Sequence, residues 1–198
     1  RITKSNKIKK LTIGSSASSF VILNHQFLKD EQKVIFKFNN KKYSFSTKLI
    51  GRVQIKNLLM AIVAAINSKI SLEKILKITK KIKPVNGRLE KIGRLNNNGI
   101  VILDYAHTPD ALETCIKDIK EQFKLRKINL VFGCGGDRDK PKRKIMGRIA
   151  NKYCNKIYLT DDNPRNEDPN KIRRDIKLNI LRNKLLEIPS REKAIKSA

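Results

Sequence analysis

The sequence predicts an α/β protein whose C-terminal part is a mainly parallel sheet with helices on both faces. From about residue 99, short apolar runs alternate with segments of helical periodicity, and polar or glycine-rich stretches follow the runs. This alternation is typical of parallel strands joined by crossover helices. Residues 11–50 instead carry adjacent strand signals and precede two helical patterns, so a different α/β unit comes first.

The first part is expected to contain a β-hairpin and two helices. Asn39-Asn40 separates strand signals at residues 34–38 and 42–46, as in a tight hairpin turn. Apolar side chains then recur at helical spacing over residues 53–66. Ser71 is the expected N-cap of the second helix, because its hydroxyl can accept from a backbone N–H of the first turn.

The second part is expected to contain four strands and four helices. The strands are the apolar runs at residues 100–103, 128–132, 157–159 and 185–188. The helices begin beside residues that cap or start helices, namely Thr108-Pro109, Pro141, Asp168-Pro169 and Ser190. We expect one domain over residues 1–88 and a second, incomplete one over residues 89–198.

Length and composition indicate a globular protein without a membrane span. Its 198 residues suffice for one large or two small domains, and 39% are hydrophobic. No apolar run approaches the roughly 20 residues that cross a bilayer. The tetrapeptide Arg1–Lys4 has neither an initiator Met nor an apolar signal block. We therefore expect a cytoplasmic protein and an internal part of a longer gene product.

The net charge of +27, from 45 basic and 18 acidic residues, has two interpretations. A nucleic-acid-binding protein would carry such a charge. However, the lysines are spread over the whole chain among many Ile and Asn residues, and all three types have AT-rich codons. The sequence has no Trp, and its aromatic residues do not alternate with basic stretches. The pattern favours a lysine-biased composition over specific nucleic-acid binding, although the charge can still steer an anionic substrate.

The three cysteines do not form a recognisable metal or disulfide pattern. Cys115, Cys134 and Cys154 are far apart and odd in number, without a CxxC spacing. A zinc site is therefore not expected. A reduced, cytosolic setting fits this usage better than a disulfide framework.

Three polar loops are expected at one edge of the sheet. They follow apolar strands and cover residues 104–110, 133–140 and 160–165. Ligands of parallel sheets bind beyond the carboxyl ends of the strands. The coincidence of three such loops therefore predicts a binding site at this edge.

The first loop offers a carboxylate and an imidazole. Asp104 directly follows a strand, so its carboxylate is placed to accept hydrogen bonds from ribose hydroxyls. The alternative is an aspartate that stabilises its own turn. His107 is placed either to contact a phosphate or to cap and pack locally.

The second loop contains three glycines within residues 133–136, which allow a ligand to approach the backbone closely. It lacks both GxGxxG and a P-loop ending, so it is a weak nucleotide motif. Arg138 is more informative, because a guanidinium can hold a carboxylate in bidentate fashion. The alternative is an ion pair between Arg138 and Asp137, Asp139 or Asp161.

The third loop has the groups that recognise an amino acid. Asn163 supplies donors and an acceptor, Arg165 supplies a planar cationic fork, and Asp162 supplies a partner for an ammonium. Pro164 fixes the backbone between them. Together they suit a zwitterionic amino acid. The alternative is a capped turn that leads into the helix at Asp168.

Five segments resemble the Mur ligase family. VILDYAHTPDAL, VFGCGGDRDKPKR and TDDNPRNEDP, at residues 101–112, 131–143 and 160–169, resemble its C-terminal domain in order and spacing. NGRLE at residues 86–90 resembles the GR-[LM]-E segment at the family's domain junction, and residues 49–65 resemble a helix of its central domain. The resemblance implies a Rossmann-like C-terminal domain preceded by the end of a central α/β ATPase domain.

The resemblance also implies an ATP site. Asn57 would lie near the adenine, Arg88 and Asp104 near the ribose and phosphates, and His107 close to the ATP. One departure occurs beside Asn57: the family usually has an asparagine two or three residues earlier, where this chain has Gln54-Ile55-Lys56.

The segment Asp162-Asn163-Pro164-Arg165 resembles the signature of family members that add meso-diaminopimelate. Lysine-adding members usually lack this arginine. The resemblance implies that the four residues line the amino-acid pocket and that Arg138 is a second carboxylate-binding arginine. Diaminopimelate differs from lysine by one distal carboxylate, which a guanidinium can distinguish.

The implied reaction is ATP-dependent amide-bond formation in peptidoglycan synthesis. The γ-phosphoryl group of ATP goes to the terminal carboxylate of UDP-N-acetylmuramoyl-L-Ala-D-Glu. The amine of meso-diaminopimelate then attacks the acyl phosphate and releases phosphate. Mg²⁺ is the implied metal, and the implied role of the protein is positioning and charge stabilisation.

Other parts of the family pattern do not occur in this sequence. It contains no GxxGKT-type P-loop and no GKGHE segment. The family's carbamylated lysine and acidic Mg²⁺ ligands are expected upstream, so no catalytic residue and no metal ligand is assigned here. We expect a monomer, and a fragment that does not turn over alone.

Two alternatives differ in the substrate or in the class of function. A ligase of the same architecture would add lysine, or extend a folate polyglutamate, and the arginines at positions 138 and 165 discriminate against it. A basic nucleic-acid-binding module would use the charge instead, and would show tight, sequence-selective binding.

Overall fold

The computed structural model describes residues 10–14, 16 and 18–198. The chain divides into two compact units, residues 1–104 and residues 105–198. The tetrapeptide at the N-terminus, from which an internal gene fragment was expected, lies outside the described residues. Residues 89–104 pack within the first unit, whereas the domain boundary expected after residue 88 stays a prediction.

A four-stranded sheet and two helices form most of the first unit. The strands, in the order β1-β2-β3-β4, are Ile13–Gly14, Phe20–Phe27, Gln32–Phe38 and Lys41–Thr47. Asn39 and Asn40 both have positive φ, 47° and 61°, which gives the tight β3–β4 turn that was predicted. The helices are α1, Arg52–Asn67, and α2, Leu72–Ile78, and a 3-10 turn at Thr79–Lys81 follows. Their apolar faces and the sheet form one core.

The first unit ends in a hairpin that corrects the expected topology. Strand β6, Ile100–Leu103, pairs antiparallel with β5, Glu90–Arg94, and not with the parallel sheet to which it was assigned. Strand β5 has little apolar content and contains Gly93, so its sequence gave only a weak strand signal. Asn98, at φ 64°, closes the turn between the two strands.

A parallel sheet covered by helices forms the second unit, which confirms the α/β fold. Its strands, in the order β7-β8-β9, are Asn129–Phe132, Lys156–Leu159 and Leu185–Glu187. The helices are α3 at Pro109–Gln122, α4 at Pro141–Tyr153, α5 at Pro169–Lys177 and α6 at Arg191–Ser197. Successive residues Ile157, Tyr158 and Leu159 of the central strand are all buried, so both faces of the sheet are covered.

Local capping starts three of these helices at the predicted residues. Thr108, Asp168 and Ser190 each accept a hydrogen bond from a backbone N–H of the first turn. Proline occupies the beginning of α3, α4 and α5. Each helix is thereby fixed where the preceding loop ends. Within the described ranges, none of the helices has the length and apolar character of a membrane span.

Candidate functional site

The loops that follow β7 and β8 lie directly against each other. We call residues 133–140 the β7 loop and residues 160–168 the β8 loop. The N–H of Gly136 donates to the carbonyl oxygen of Asn163 over 2.8 Å. A side chain at Gly136 would overlap the carbonyl oxygen of Pro164, so glycine is what allows the two backbones to touch. Two of the three loops expected to converge are therefore in contact.

Arg165 ties the β8 loop to the β7 loop. Its Nη1 donates to the carbonyl oxygen of Gly136 at 2.5 Å, and its backbone N–H donates to Asn163 Oδ1 at 3.1 Å. Its φ of 49° is unusual for a residue with a side chain. A guanidinium has five N–H donors, so the contact with Gly136 leaves capacity for an anionic ligand.

Arg138 is exposed at the turn of the β7 loop. Among the described residues its side chain makes no hydrogen bond and no ion pair, so none of the three alternative aspartate pairings is formed. Asp161, one of those aspartates, pairs with Arg173 instead. The guanidinium of Arg138 therefore remains available to a ligand.

One contact between the loops adjoins both candidate arginines. Asp137 Oδ2 accepts from the backbone N–H and from Nδ2 of Asn166, each at 3.1 Å. Arg138 follows Asp137 in the chain, and Arg165 precedes Asn166. The two arginines thus flank the same contact.

The other predicted residues of the β8 loop, Asp162, Asn163 and Pro164, make contacts within the protein. Asp162 is half-exposed and lies 3.5 Å from Nη2 of Arg191. Arg191 also donates to the carbonyl oxygen of Asp161. Asn163 uses its Oδ1 to accept from Arg165, and Pro164 lies against Gly136. These contacts give the β8 loop a defined shape.

Two buried arginines behind these loops were missed by sequence reasoning. Arg143 on α4 and Arg173 on α5 look like residues of solvated helix faces, yet both are buried and paired with carboxylates. Arg143 lies three and four residues before the buried Met146 and Gly147, and thus on the apolar stripe of α4. This spacing in the sequence could have indicated that Arg143 is buried.

Three of the residues expected near ATP lie on neighbouring segments of the first unit. Asp104 Oδ2 accepts from the backbone N–H of Leu89 at 2.8 Å, and Nε2 of Gln54 donates to the carbonyl oxygen of Arg88 at 2.9 Å. Asn57 is exposed one helical turn after Gln54 on α1. Helix α1, the segment around Arg88 and the end of β6 are therefore tied together. Gln54, which departs from the family pattern, makes one of these ties.

His107 belongs to the second unit and is packed locally. Its Nδ1–H donates to the carbonyl oxygen of Tyr105 at 3.1 Å, and the two rings meet edge to face. Nζ of Lys142, at the start of α4, donates to the carbonyl oxygen of His107 at 3.0 Å. The backbone of His107 thus lies close to the end of the β7 loop, while its ring is exposed.

The thiols and carboxylates do not assemble a metal site in the part of the chain that the structure describes. No group of three or more His, Cys, Asp or Glu side chains there is arranged to hold a metal ion. Cys115, Cys134 and Cys154 form no disulfide with one another. Burial raises the pKa of Cys134 to about 11 and that of Cys154 to about 12, so both stay protonated thiols near neutral pH.

Comparisons with known proteins agree with the fold. The family model for the glutamate ligase domain of Mur ligases matches residues 87–198. A relative from Rickettsia bellii, named UDP-N-acetylmuramoyl-L-alanyl-D-glutamate--2,6-diaminopimelate ligase, is 40% identical over 192 residues, which are 96% of this chain and 40% of the relative. This chain spans about two fifths of the length of that relative.

Two solved structures also resemble this chain. A structure of an enzyme with the same name is 31% identical, with a TM-score of 0.66, and the match covers 94% of this chain and 39% of that one. A folylpolyglutamate synthase from Mycobacterium tuberculosis, complexed with ADP and AMPPCP, shares the fold at 19% identity. Its TM-score is 0.74 over 92% of this chain and 41% of that chain. Because the family model covers more than half of the residues, this chain belongs to the Mur ligase family.

Proposed function

We propose that this chain is part of an ATP-dependent ligase that adds meso-diaminopimelate to UDP-N-acetylmuramoyl-L-Ala-D-Glu in peptidoglycan synthesis, in the cytoplasm. The Rickettsia bellii relative and the structure at 31% identity both carry the name of such a ligase. The proposed reaction transfers the γ-phosphoryl group of ATP to the terminal carboxylate of the precursor. The amine of diaminopimelate attacks the resulting acyl phosphate, forms the amide bond and expels phosphate.

The position of the two loop arginines is the observation that carries the choice of amino acid. Arg138 and Arg165 flank the same contact between the β7 and β8 loops, and Arg138 has no internal partner among the described residues. Two guanidiniums match the distal carboxylate that distinguishes diaminopimelate from lysine. The neighbouring Asp162 and Asn163 are proposed to bind the ammonium and carboxylate beside it, with Pro164 holding their backbone.

The first unit is proposed to contribute to ATP binding. Asn57 would contact the adenine, and Arg88 and Asp104 the ribose and phosphates, because the structure ties their segments together. His107 is likewise proposed to contribute to ATP binding. The solved complexes of folylpolyglutamate synthase with ADP and AMPPCP show that a protein of this fold binds adenine nucleotides. Mg²⁺ would neutralise the phosphates, with its ligands outside this chain.

A folylpolyglutamate-type ligase is the second candidate, because a folylpolyglutamate synthase shares the fold of this chain. That likeness is at 19% identity and shows the fold alone. Glutamate, the unit of a folylpolyglutamate, has a side-chain carboxylate but no ammonium beside it, so it would make no use of Asp162, and the loop chemistry favours diaminopimelate.

Replacing Arg165 in the full-length enzyme tests the proposal. For Arg165→Ala we expect kcat/KM for meso-diaminopimelate to fall about 100-fold, because a charge-assisted contact is lost. The KM for ATP should change by less than about twofold. Arg165→Lys keeps a cation for the carbonyl of Gly136 but not the planar fork, so an intermediate loss is expected.

Arg148→Ala removes an exposed arginine from the same unit and serves as the matched control, with kinetics expected to stay near wild type. An equal rise in the KM for ATP and for diaminopimelate in Arg165→Ala would show that the pocket assignment is wrong. Wild-type enzyme that used lysine as readily as diaminopimelate would overturn the proposed substrate.

A further inference from the structure

A fully buried arginine, Arg143, lies beneath the β7 and β8 loops. The side chain of Arg143 is 0% exposed. Its Nη1 and Nη2 donate to the two carboxylate oxygens of Glu167 at 3.0 and 2.8 Å, and Nη1 also donates to Asp175 Oδ2 at 3.1 Å. Nη2 reaches the carbonyl oxygen of Gly135 in the β7 loop at 3.4 Å. A charge this deeply buried is tolerated only because it is paired on several sides.

Glu167 links this buried charge to the backbone of the opposite loop. It belongs to the β8 loop, and its Oε1 accepts from the backbone N–H of Asp137 in the β7 loop at 2.6 Å. The side chain is 11% exposed. One carboxylate therefore joins Arg143, the β8 loop and the β7 loop, whereas Asp175, the other carboxylate partner of Arg143, is on α5.

The residues held in this way have strained backbones. Asp137 has φ 50° and Arg165 has φ 49°, in the left-handed region that residues with a Cβ seldom occupy. Such conformations persist when surrounding bonds determine them. For Asp137 these bonds come from Glu167 at its N–H and from Asn166 at its carboxylate.

We propose that Arg143 and Glu167 are positioning residues for amino-acid specificity, and this rests on the proposed use of diaminopimelate. By holding the N–H of Asp137, Glu167 sets the direction in which the next residue, Arg138, leaves the β7 loop. Through the same contact it fixes the β8 loop two residues after Arg165. Neither Arg143 nor Glu167 touches substrate in this scheme. They act through the orientation of the two exposed guanidiniums.

A matched pair of substitutions separates positioning from simple stabilisation. Glu167→Gln and Asp175→Asn each replace one carboxylate partner of Arg143 by a neutral amide, but only the carboxylate of Glu167 also accepts from the β7 loop, at the N–H of Asp137. In the full-length enzyme we expect Glu167→Gln to raise the KM for meso-diaminopimelate about tenfold, with the KM for ATP changed by less than about twofold. Asp175→Asn should lower the melting temperature but leave both KM values near wild type.

Two further variants keep the test decisive if Glu167→Gln folds poorly. Glu167→Asp retains a carboxylate for Arg143 and should recover part of the loss. Asn166→Ala removes the Nδ2 contact with Asp137, keeps the backbone N–H contact and leaves the buried pair intact, so it should fold and still raise the KM for diaminopimelate about threefold.

Equal effects of Glu167→Gln and Asp175→Asn on the KM for diaminopimelate would overturn the inference, as would an unchanged KM in both Glu167→Gln and Asn166→Ala. Failure of the proposed function is recognised separately, since wild-type enzyme would then not use diaminopimelate at all.

Discussion

At the scale of single residues, carboxylates next to arginines decide the shape of the candidate site. Glu167 is the clearest case: its hydrogen bonds with Arg143 hold the pKa of its carboxyl at about 2, well below the usual 4.5. A lowered pKa in the folded state means that folding favours the ionised form. This stabilisation of the folded state is present above the pKa of Glu167 in the unfolded chain, about 4.5. It is lost as the pH falls towards the pKa of Glu167 in the folded chain, about 2.

The stability of the chain should therefore fall between about pH 4.5 and about pH 2 in a way that depends on Glu167. Glu167→Gln has no carboxyl to protonate at this position, so its melting temperature should decrease less steeply across that window. Circular dichroism melts at a series of pH values measure both slopes. Glu192→Gln, which removes an exposed carboxylate of α6, is the control and should keep the wild-type slope. Identical slopes for wild type and Glu167→Gln would refute the assignment.

Single residues also show why sequence reasoning reached only part of the site. Arg138 and Arg165 were predicted as site residues, because they stand in loops after strands and in segments that resemble a known family, and their role stays a prediction. Arg143 and Arg173 were missed, since a charged residue in a helix is usually solvated and their carboxylate partners are distant in sequence. The hydrogen bond that Asp104 accepts from the backbone N–H of Leu89 was likewise not predicted, because the two residues are fifteen positions apart in the sequence.

At the scale of elements, local chemistry predicted most helices and strands. The caps at Thr108, Asp168 and Ser190 act within one helical turn, so the sequence alone contains the information. The partner of a strand is a long-range property. For that reason β6 was assigned to the wrong sheet, although its residues were correct, and the weakly apolar β5 was not predicted.

Strand β8 should be the most sensitive element of the second unit. Ile157 is fully buried at the centre of the parallel sheet, so Ile157→Ala should lower the free energy of unfolding by about 2–5 kcal/mol. Urea denaturation followed by circular dichroism measures this change. Ile195→Ala, at a position on α6 that is 58% exposed, is the control and should have a small effect. Comparable losses in the two variants would contradict the packing of the β8 core.

At the scale of the whole molecule, the excess of positive charge is partly gathered in one place. A groove of about 710 Å³ in the first unit is lined by basic residues and by only one acidic residue, Asp30, which pairs with Lys91 and Arg94. The other basic residues are Lys48, Lys80, Lys81 and Lys83. Such a surface attracts anions when salt is low. A gel shift with duplex and single-stranded probes over a range of salt separates this general attraction from the sequence-selective binding of a nucleic-acid module.

The chain alone is expected not to catalyse ligation. It spans about two fifths of the length of the Rickettsia bellii relative, and its sequence contains no GxxGKT-type P-loop. Phosphate release and product formation should therefore stay at background with ATP, precursor and diaminopimelate, and should appear with the full-length enzyme. Detectable ATP-dependent ligation by the 198 residues would refute this expectation.

The close contact at Gly136 limits how this protein could be redesigned. Because Gly136 meets Pro164 without room for a Cβ, the backbones of the two loops fit closely against each other at this point. Transplanting only one of them from a relative with another amino-acid preference would bring a foreign backbone against an unadapted surface. Grafts that exchange both loops together, along with a matched residue at the buried position of Arg143 beneath them, are the ones expected to yield an enzyme with altered selectivity.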